Sequence, residues 1–520
     1  MDICAAGANK ESAFIRVHLW FHKSCRFAQK FSIKTLTMTA IEQPKRILLV
    51  RTFKQLQGGG PVPPLGILYL AAAVRERFGA VFDIKIMDLG LMTMREAAES
   101  LSEYAPHYVG LSALSCEDDV MRDFAGIVKR NNQGAATIVG GPHAVVAGKA
   151  LLEDTNIDYV ATGESEQTLV ELIESLECSG DLARVAGIVF RKNGQKIQTP
   201  ARQFIEDLDT IPFPAWDLID LRSYSDRPSW VGVLKEDFNA PIFTSRGCPY
   251  QCSFCHNIFG KRTRFRSPEN VFAEMLFLYE KEGVREFHFF DDVFNINIER
   301  AMKICNLIIE SGLRFSLAFP NGLRADIMTR ELLALLKKAG AYKIHYGIET
   351  VSPRLQRAIG KNLDIPKAAE TLRATADAGI ITGAYFMIGF PDQTREEIME
   401  TIDFAARSRL DAAYFFKAIP YPGSGFHEKL AAQGFLKADD TEQHFYAASH
   451  SSGRINTAEL NIFMLMAQRR FYLNFRRFLR SLIRTPRKMM YLRNTVAMLA
   501  LVLQGYIYES ILKKTLRESK

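Results

Sequence analysis

The stretch "TSRGCPYQCSFCHN", Thr244 to Asn257, packs three cysteines into eight positions and supplies no fourth nearby. Cys248, Cys252 and Cys255 are spaced Cys-x3-Cys-x2-Cys and follow the strand-like run "PIFTSRG". A loop leaving a buried strand lets three sulfurs gather around one centre, and thiolates suit zinc or iron–sulfur clusters. A structural zinc site closes its tetrahedron with a fourth protein ligand. His256 adjoins Cys255, but neighbouring side chains rarely aim at one ion. Ordinary 4Fe–4S proteins use four cysteines. Three therefore predict a cubane with one iron left for a small-molecule ligand, with zinc and a chance cluster as the alternatives.

Downstream of this loop, apolar runs alternate with long helical periods. "EFHFFDD", "FSLAFPN", "KIHYGIET", "ITGAYFMIGFP" and "AAYFFKAIPYP" join "PIFTSRG" as six strands, with a helical pattern after each of the first five. Six parallel strands with intervening helices predict an open, partial (βα)6 barrel of TIM type, whose chemistry sits in the loops after the strands. The cysteines occupy the first of those loops.

Upstream, "RILLV", "FDIKIMD", "YVGLSAL", "TIVGG" and "DYVATG" alternate with amphipathic helical segments such as "LGILYLAAAVRERF". Continuous apolar strands between helices imply a parallel sheet covered on both faces. The expectation is an α/β chain: an N-terminal doubly wound, Rossmann-like domain, then the barrel, then a mainly helical C-terminal region. In a doubly wound sheet ligands sit at the carboxyl ends of the strands. Those ends carry Ser112, Gly140–Gly141 and Gly163–Glu164. The organisation read from the chain is an extension without predicted fold over 1–40, the doubly wound domain over 41–180, a hairpin and linker over 181–240, the barrel over 241–425, and a helical basic region over 426–520. The hairpin turns at Asn193–Gly194. Met38 offers an alternative start, since recognisable organisation begins near Lys45.

Composition sets the class. With 520 residues, 48% of them apolar and 24% charged, the chain is globular and too long for one core. Eight cysteines are too few for a disulfide scaffold, so a reducing cytoplasm fits best. The net charge of +8 is concentrated in the tail: Arg469 to Lys520 holds 13 basic and 2 acidic residues, or +11, leaving −3 upstream. A nucleic-acid partner is not expected. The tail "RRFYLNFRRFLRSLIRTPRKMMYLRN" reads first as a helical cap with a solvated basic face. The alternative is peripheral contact with the inner, anionic face of a membrane. "TVAMLALVLQGYIY" is too short and interrupted to span a bilayer.

The Cys-x3-Cys-x2-Cys loop after a first barrel strand resembles the radical S-adenosylmethionine (SAM) superfamily. The resemblance covers roughly residues 241–425. It implies that SAM binds the open iron through its amino and carboxylate groups and is cleaved to a hydrogen-abstracting radical. It also implies site roles: Phe254, between the last two cysteines, near adenine; Asp292 (or Asp291) of "FFDD" near the SAM amino group; Arg324 of "NGLRAD" near its carboxylate; Glu349 of "YGIET" on the ribose; and Gly389 and Pro391 of "MIGFPDQT" shaping the adenine pocket. "FFDD" departs from the family's Gly-Gly-Glu pattern. Taken singly, strand-end acids also cap helices and Gly–Pro pairs also turn chains.

The upstream domain resembles cobalamin-binding domains through Ser112-x-Leu114, Gly140–Gly141, His143 and "TGESEQT". The glycines would let backbone approach the cofactor. No Asp-x-His-x-x-Gly is present, so the resemblance implies cobalamin without a protein histidine beneath cobalt, with His143 lining the pocket. A degenerate domain kept for packing is the alternative. Together the two halves resemble cobalamin-dependent radical SAM enzymes. The implied activity is methyl transfer from SAM, via methylcobalamin, to an unactivated carbon of a hydrophobic molecule such as a chlorin-type tetrapyrrole or an isoprenoid lipid. Cyclisation or oxidation without methyl transfer, and a non-catalytic cobalamin or SAM sensor, are the competing readings. The implied cofactors are a 4Fe–4S cluster, SAM and cobalamin, with flavodoxin or ferredoxin as electron donor. Phe289, Phe319, Tyr346 and Tyr414 to Phe416 are read as an apolar barrel mouth.

Overall fold

A computed structural model describes residues 44–54, 60–225, 233–255, 258–434 and 455–496. The extension over 1–40, most of the Gly58–Gly60 loop, His256 and most of the apolar run after Thr495 lie outside the described residues. The first sheet begins with β1 (Lys45–Arg51), β2 (Phe82–Asp88), β3 (Tyr108–Ser112), β4 (Ala136–Gly140) and β5 (Tyr159–Ala161), all parallel. Alternation sorts β1 between two cores. Leu48 and Val50 enter one with Leu111 and Phe124, while Ile47 and Leu49 enter the other with Ile67 and Leu172. Helices α1 (Leu65–Phe78) and α5 (Glu166–Glu177) cover the second face. α2 (Met94–Tyr104) and α3 (Asp118–Asn131) cover the first. Each fully buried aliphatic side chain contributes on the order of 2 kcal/mol.

The strand order β2-β1-β3-β4-β5 reverses between β1 and β3, which opens a crevice beyond their carboxyl ends. The predicted hairpin forms as β6 (Ile188–Lys192) and β7 (Gln195–Gln198), with Asn193 and Gly194 both at positive φ. It does not stand apart as a linker element. Buried Ile188, Val189 and Phe190 draw it antiparallel onto β5, which extends the first sheet to seven strands.

The second sheet has six parallel strands in the order β15-β14-β13-β12-β11-β8. They are β8 (Asn239–Ile242), β11 (Glu286–Phe289), β12 (Ser316–Leu323), β13 (Ala341–Glu349), β14 (Ile381–Ile388) and β15 (Ala412–Lys417). The barrel is open, since β8 and β15 are its two edges. The helices between strands are α6 (Pro268–Phe277), α7 (Ile298–Glu310), α8 (Arg330–Lys338), α9 (Pro353–Ala358), α10 (Ile365–Asp377) and α11 (Arg395–Arg407), and α12 (Gly425–Ala432) follows β15. In the C-terminal region α13 (Thr457–Tyr472) packs Leu460, Phe463 and Phe471 into the barrel's outer core. Helix α14 (Phe475–Arg484), which a further helical stretch over 488–496 follows, is also pinned to the barrel. Arg477, Arg480 and Arg484 face inward while Arg476 stays exposed, so the expected solvated basic face is only partly formed.

One short element escapes sequence patterning. β9 (Ser245–Arg246) pairs antiparallel with β10 (Arg264–Phe265), and the pair closes the root of the cysteine loop. This pair also joins the two sheets. Glu164, just after β5, receives Arg246 Nη1 at 3.2 Å and Arg264 through two bonds of 2.8 and 2.7 Å. Arg246 also meets Glu166 at 2.6 Å. The side chains of Glu164, Arg246 and Arg264 are 1%, 7% and 2% exposed, so these charges have no water to fall back on. Glu164→Ala is expected to destabilise the chain by about 3–5 kcal/mol, because two guanidinium groups stay buried without their shared partner. Urea unfolding, with protease cleavage across residues 181–240 as a second probe, measures it.

Candidate functional site

The strand ends of the first sheet make one wall. Gly141 has φ +83°, and a Cβ there would lie 2.7 Å from Ser112 Oγ and 3.1 Å from the Ala113 amide, so only glycine fits. The Ser112 carbonyl accepts the amide and hydroxyl of Thr52 at 3.1 and 3.0 Å, tying β3 to the end of β1. Buried Glu117 accepts the Leu114 amide at 2.9 Å and the Thr52 hydroxyl at 3.1 Å. That bond turns the Leu114 side chain outward, to 45% exposure, and Val145 of α4 (Pro142–Ala147) is outward too. Gly140 ends β4 beside this pair. His143 has both ring nitrogens engaged, with Ser115 Oγ at 3.3 Å and Asp118 Oδ1 at 2.8 Å. Burial would raise the Asp118 carboxyl, but bonds from His143 and Arg122 outweigh it and hold it down at about 2. His143 is thus built into the helix start, with no ring nitrogen left for a metal.

The cysteine loop leaves the first strand of the barrel. Gly247, φ +91°, precedes Cys248, and a Cβ there would lie 2.4 Å from the Arg262 carbonyl. The loop is then pinned from two sides. Ser253 donates its amide to Ile359 O at 2.9 Å, and Ser253 O accepts the Phe426 amide at 2.7 Å. Gly360, φ +69°, presses so close that a Cβ would lie 2.6 Å from Gln251 O. Burial raises all three thiols, Cys255 to about 12. Cys252, Asp292 and Cys248 add to the rise at Cys255, which places these groups within one another's field. Three thiolates here need positive charge brought to them, which an iron–sulfur cluster provides. Among the described residues no three His, Cys, Asp or Glu side chains gather tightly enough to hold a single metal ion. Three cysteine thiols on one loop are the donor chemistry of an iron–sulfur cluster, which binds each sulfur through a different iron.

The other predicted residues separate into those beside the loop and those committed elsewhere. Asp291 accepts the Thr244 amide at 3.1 Å and hydroxyl at 2.7 Å, and also the Ser245 hydroxyl, while its buried Oδ2 has no partner. Asp292 reaches the Gly247 amide at 3.2 Å. The protein packed around Asp292 and the Asp291 charge push its carboxyl up to about 6, though water reaches the residue and screens part of this effect. Glu349 ends β13 at φ +62°, a conformation rare for a residue with a Cβ, and accepts Lys361 Nζ at 2.7 Å. Both groups act on the Cys252 thiol, Lys361 lowering and Glu349 raising its pKa against the larger effect of burial. Arg324 closes its fork on Asp326, at 2.8 and 3.1 Å, and stacks 3.9 Å over Tyr250 of the cysteine loop. Phe254 packs on Phe390, with ring centroids 5.6 Å apart. Gly389, φ +91°, abuts Leu460 of α13, and its amide binds buried Gln393 at 2.7 Å. Pro391 follows at the same turn.

Most of the aromatics read as a barrel mouth are core. Phe289 and Phe319 stack at 4.7 Å between sheet and helices, Tyr346 bonds Thr375 of α10, and Phe415 stacks on Phe386. The period-two alternation of a strand explains the correction, since these positions point away from the lumen. Tyr414 and Phe416 sit on the opposite face with Tyr385, whose ring lies 5.4 and 6.0 Å from theirs. His345 Nδ1 lies 2.8 Å from the Tyr385 hydroxyl, and burial pushes the imidazole down to about 3, so it is neutral. The lumen floor is therefore aromatic and uncharged at His345.

The two walls face each other. A Cβ on Gly423, after β15, would meet Val146 of α4 at 3.5 Å, and the buried Tyr421 phenol feels the Cys116 thiol after β3. Lys361 is the site residue that sequence reading missed. Its signal was the "IGKN" break between α9 and α10, where Gly360 and Asn362 both take positive φ.

The family models that match are the B12 binding domain, over residues 56–173, and the Radical SAM superfamily, over residues 242–405. The chain is 33% identical over 380 residues to an uncharacterised methyltransferase of Pyrococcus horikoshii, covering 72% of this chain and 80% of that one. It is 26% identical over 423 residues to the anaerobic magnesium-protoporphyrin IX monomethyl ester cyclase of Cereibacter sphaeroides, covering 80% and 68%. The structure of the cobalamin-dependent S-adenosylmethionine radical enzyme OxsB with aqua-cobalamin bound superposes with a TM-score of 0.67 over 97% of this chain and 86% of that one, at 15% identity, which is a likeness of fold.

Gly360→Ala tests the bracing of the loop. The added methyl collides with Gln251 O in an already left-handed residue, so a loss of about 1–3 kcal/mol is expected. Alkylation of Cys252 in the metal-free protein should speed up several-fold, as read by mass spectrometry. An unchanged rate would show that the Gly360 contact does not hold the loop.

Proposed function

The chain belongs to the radical SAM enzymes that carry a B12-binding domain, and from this premise we propose that it transfers a methyl group from SAM to an unactivated carbon of a hydrophobic small molecule. Its cofactors are a 4Fe–4S cluster, SAM and cobalamin. The observation that carries the reading is the segment after β15, which meets the cysteine loop at Ser253 through the Phe426 amide and the first sheet's strand-end side at Val146 through Gly423.

When bound, these cofactors supply the electron, the hydrogen-abstracting group and the methyl. The chain's own residues hold and orient them. Cys248, Cys252 and Cys255 are proposed as the cluster ligands, supported by the bonds that fix their loop at Ile359 and Phe426. Asp292, beside Gly247, is proposed to face the SAM ammonium. Lys361, the cation paired with Glu349, is the better candidate for its carboxylate than Arg324, whose fork is taken by Asp326. Glu349 then keeps an acceptor oxygen for ribose. Phe254, with Gly389 and Pro391, lines the proposed adenine edge. Arg324 is reassigned to positioning, through Tyr250. Ser112, Leu114, Gly140 and Gly141 are proposed to hold cobalamin, with His143 buttressing them through Asp118.

The aromatic cluster of His345, Tyr385, Tyr414 and Phe416 supports an apolar substrate, of which a chlorin-type tetrapyrrole or an isoprenoid lipid are the leading classes. A flavodoxin or ferredoxin is the proposed reductant. A cytoplasmic setting is proposed, with contact to the membrane's inner face through the C-terminal region; among the described residues no helix is long and apolar enough to cross a membrane. The similarity to the cyclase supports one competing reading, ring formation without methyl transfer.

Anaerobic incubation of the reconstituted protein with SAM, reductant and candidate substrates separates the readings. Equal amounts of S-adenosylhomocysteine and 5′-deoxyadenosine are expected. Deoxyadenosine alone would favour the cyclase reading, and neither product would favour a sensor. Cys252→Ala should keep the cobalamin spectrum, lose the broad absorbance of the cluster and produce no deoxyadenosine.

A further inference from the structure

Helix α14 is amphipathic in the reverse of the usual sense. Arg477, Arg480 and Arg484 recur at intervals of three and four and turn toward the protein. Arg477 gives its guanidinium to the carbonyls of Leu410, Ala406 and Ser408, and stacks 3.7 Å over Phe471. Arg480 binds Asp411 at 3.1 Å and Leu410 O at 2.6 Å, while Arg484 binds Asp411 at 3.2 Å and Ala376 O at 2.8 Å. Ser481 also donates to Asp411, at 3.2 Å. Asp411 itself is buried and accepts the Thr382 amide at 3.1 Å, so the helix is tied to the rim that precedes β14 and β15.

The outward face is the apolar one. Phe475, Leu479 and Ile483, spaced by four, are 75%, 45% and 67% exposed. Leu473 before them and Met489 and Val496 after them are exposed as well. The side chains exposed among them include Arg476, Lys488 and Arg493, and no acidic residue occurs from Leu460 to Val496. An apolar stripe in water is unfavourable, and here it is held outward by three arginines that would otherwise have been its solvated side.

We propose that the Phe475–Leu479–Ile483 face of α14 docks on an anionic lipid bilayer, the stripe entering the headgroup boundary and Arg476, Lys488 and Arg493 meeting the lipid phosphates. The charge complement chooses this occupant. A second copy would set like charges opposite one another across a two-fold axis, whereas an anionic surface neutralises them. The proposal names the face for the membrane contact put forward above and does not depend on which reaction the barrel catalyses.

The test is co-sedimentation of the full chain with liposomes of phosphatidylcholine alone or with about a third phosphatidylglycerol. Binding to the anionic liposomes, weakened by salt and small on phosphatidylcholine, is the expected result. The triple variant Phe475→Asp, Leu479→Asp, Ile483→Asp should lose on the order of tenfold in bound fraction with an unchanged melting temperature. Arg476→Glu with Lys488→Glu, which leaves the apolar stripe intact, should lose most of the preference for anionic lipid. Three results overturn the proposal. One is binding that survives the triple variant, which would assign it to residues 497–520. Another is a dimer in solution that the triple variant dissolves while liposomes capture neither form. The third is a triple variant that melts well below the parent, which would make the stripe an internal contact.

Discussion

The architecture turns on a carboxylate that two guanidinium groups share. Glu164 leaves the fifth strand of one sheet and is met by Arg246 and Arg264, which belong to the two short strands at the root of the cysteine loop. Burial alone would raise the Glu164 carboxyl, yet the two arginines bring it below the usual carboxylate range. Buried ion pairs add little net stability over an apolar contact of the same size, but leaving one member unpaired is costly. Such a pair therefore acts as a register device. Any other docking of the two sheets would strand a charge, so the strand-end edges are held face to face with the loop between them. Tyr69 adds to the same seam, with Arg246 lying 5.3 Å from its ring.

Much of this was legible in the sequence, and what was missed shares a cause. The parallel strands are visible as continuous apolar runs because both of their faces are covered, and the Cys-x3-Cys-x2-Cys loop announces itself by spacing alone. Glu349 could be placed at a strand end by its pattern, but nothing in "YGIET" signals its positive φ or its Lys361 partner, twelve residues later. That pairing depends on a left-handed break at Gly360 and Asn362 that folds the chain back over the loop. Arg324 carries the same lesson in reverse. A lone arginine after a strand suggests an anion, and the nearer anion is Asp326, two residues on. The two-residue strands at Ser245 and Arg264 are too short for any periodicity to reveal.

Strand parity explains the aromatics. Phe289, Phe319, Tyr346 and Phe415 lie on the helix-facing side of their strands, where bulk is needed to fill the layer between sheet and helices. Tyr385, Tyr414 and Phe416 lie on the other side and close the lumen beneath the cysteine loop with His345. Gly383 leaves room for that imidazole, since a Cβ there would lie 2.3 Å from His345 Cδ2. The consequence is chemical. A histidine kept neutral by burial and bonded to a tyrosine hydroxyl thus lines the lumen, with the buried Lys343 of the same strand face as its nearest basic neighbour.

The position of α14 adds a constraint on geometry. Asp411 immediately precedes β15, Thr382 lies at the start of β14 and Ala376 near the end of α10, so the helix sits on the barrel end opposite the cysteine loop. A surface bound there would hold the molecule from below and leave the cleft between the two sheets pointing away from the bilayer. Apolar substrate would then have to leave the lipid, or arrive on a carrier, before reaching the lumen. A docking face on the strand-end side would instead place the cleft mouth against the lipid, in competition with the first sheet, which already covers it through Gly423 and Val146. On the proposed docking, the fold would separate anchoring from catalysis. The end of the barrel that needs water excluded is closed by protein, and the end free of chemistry carries the exposed apolar stripe.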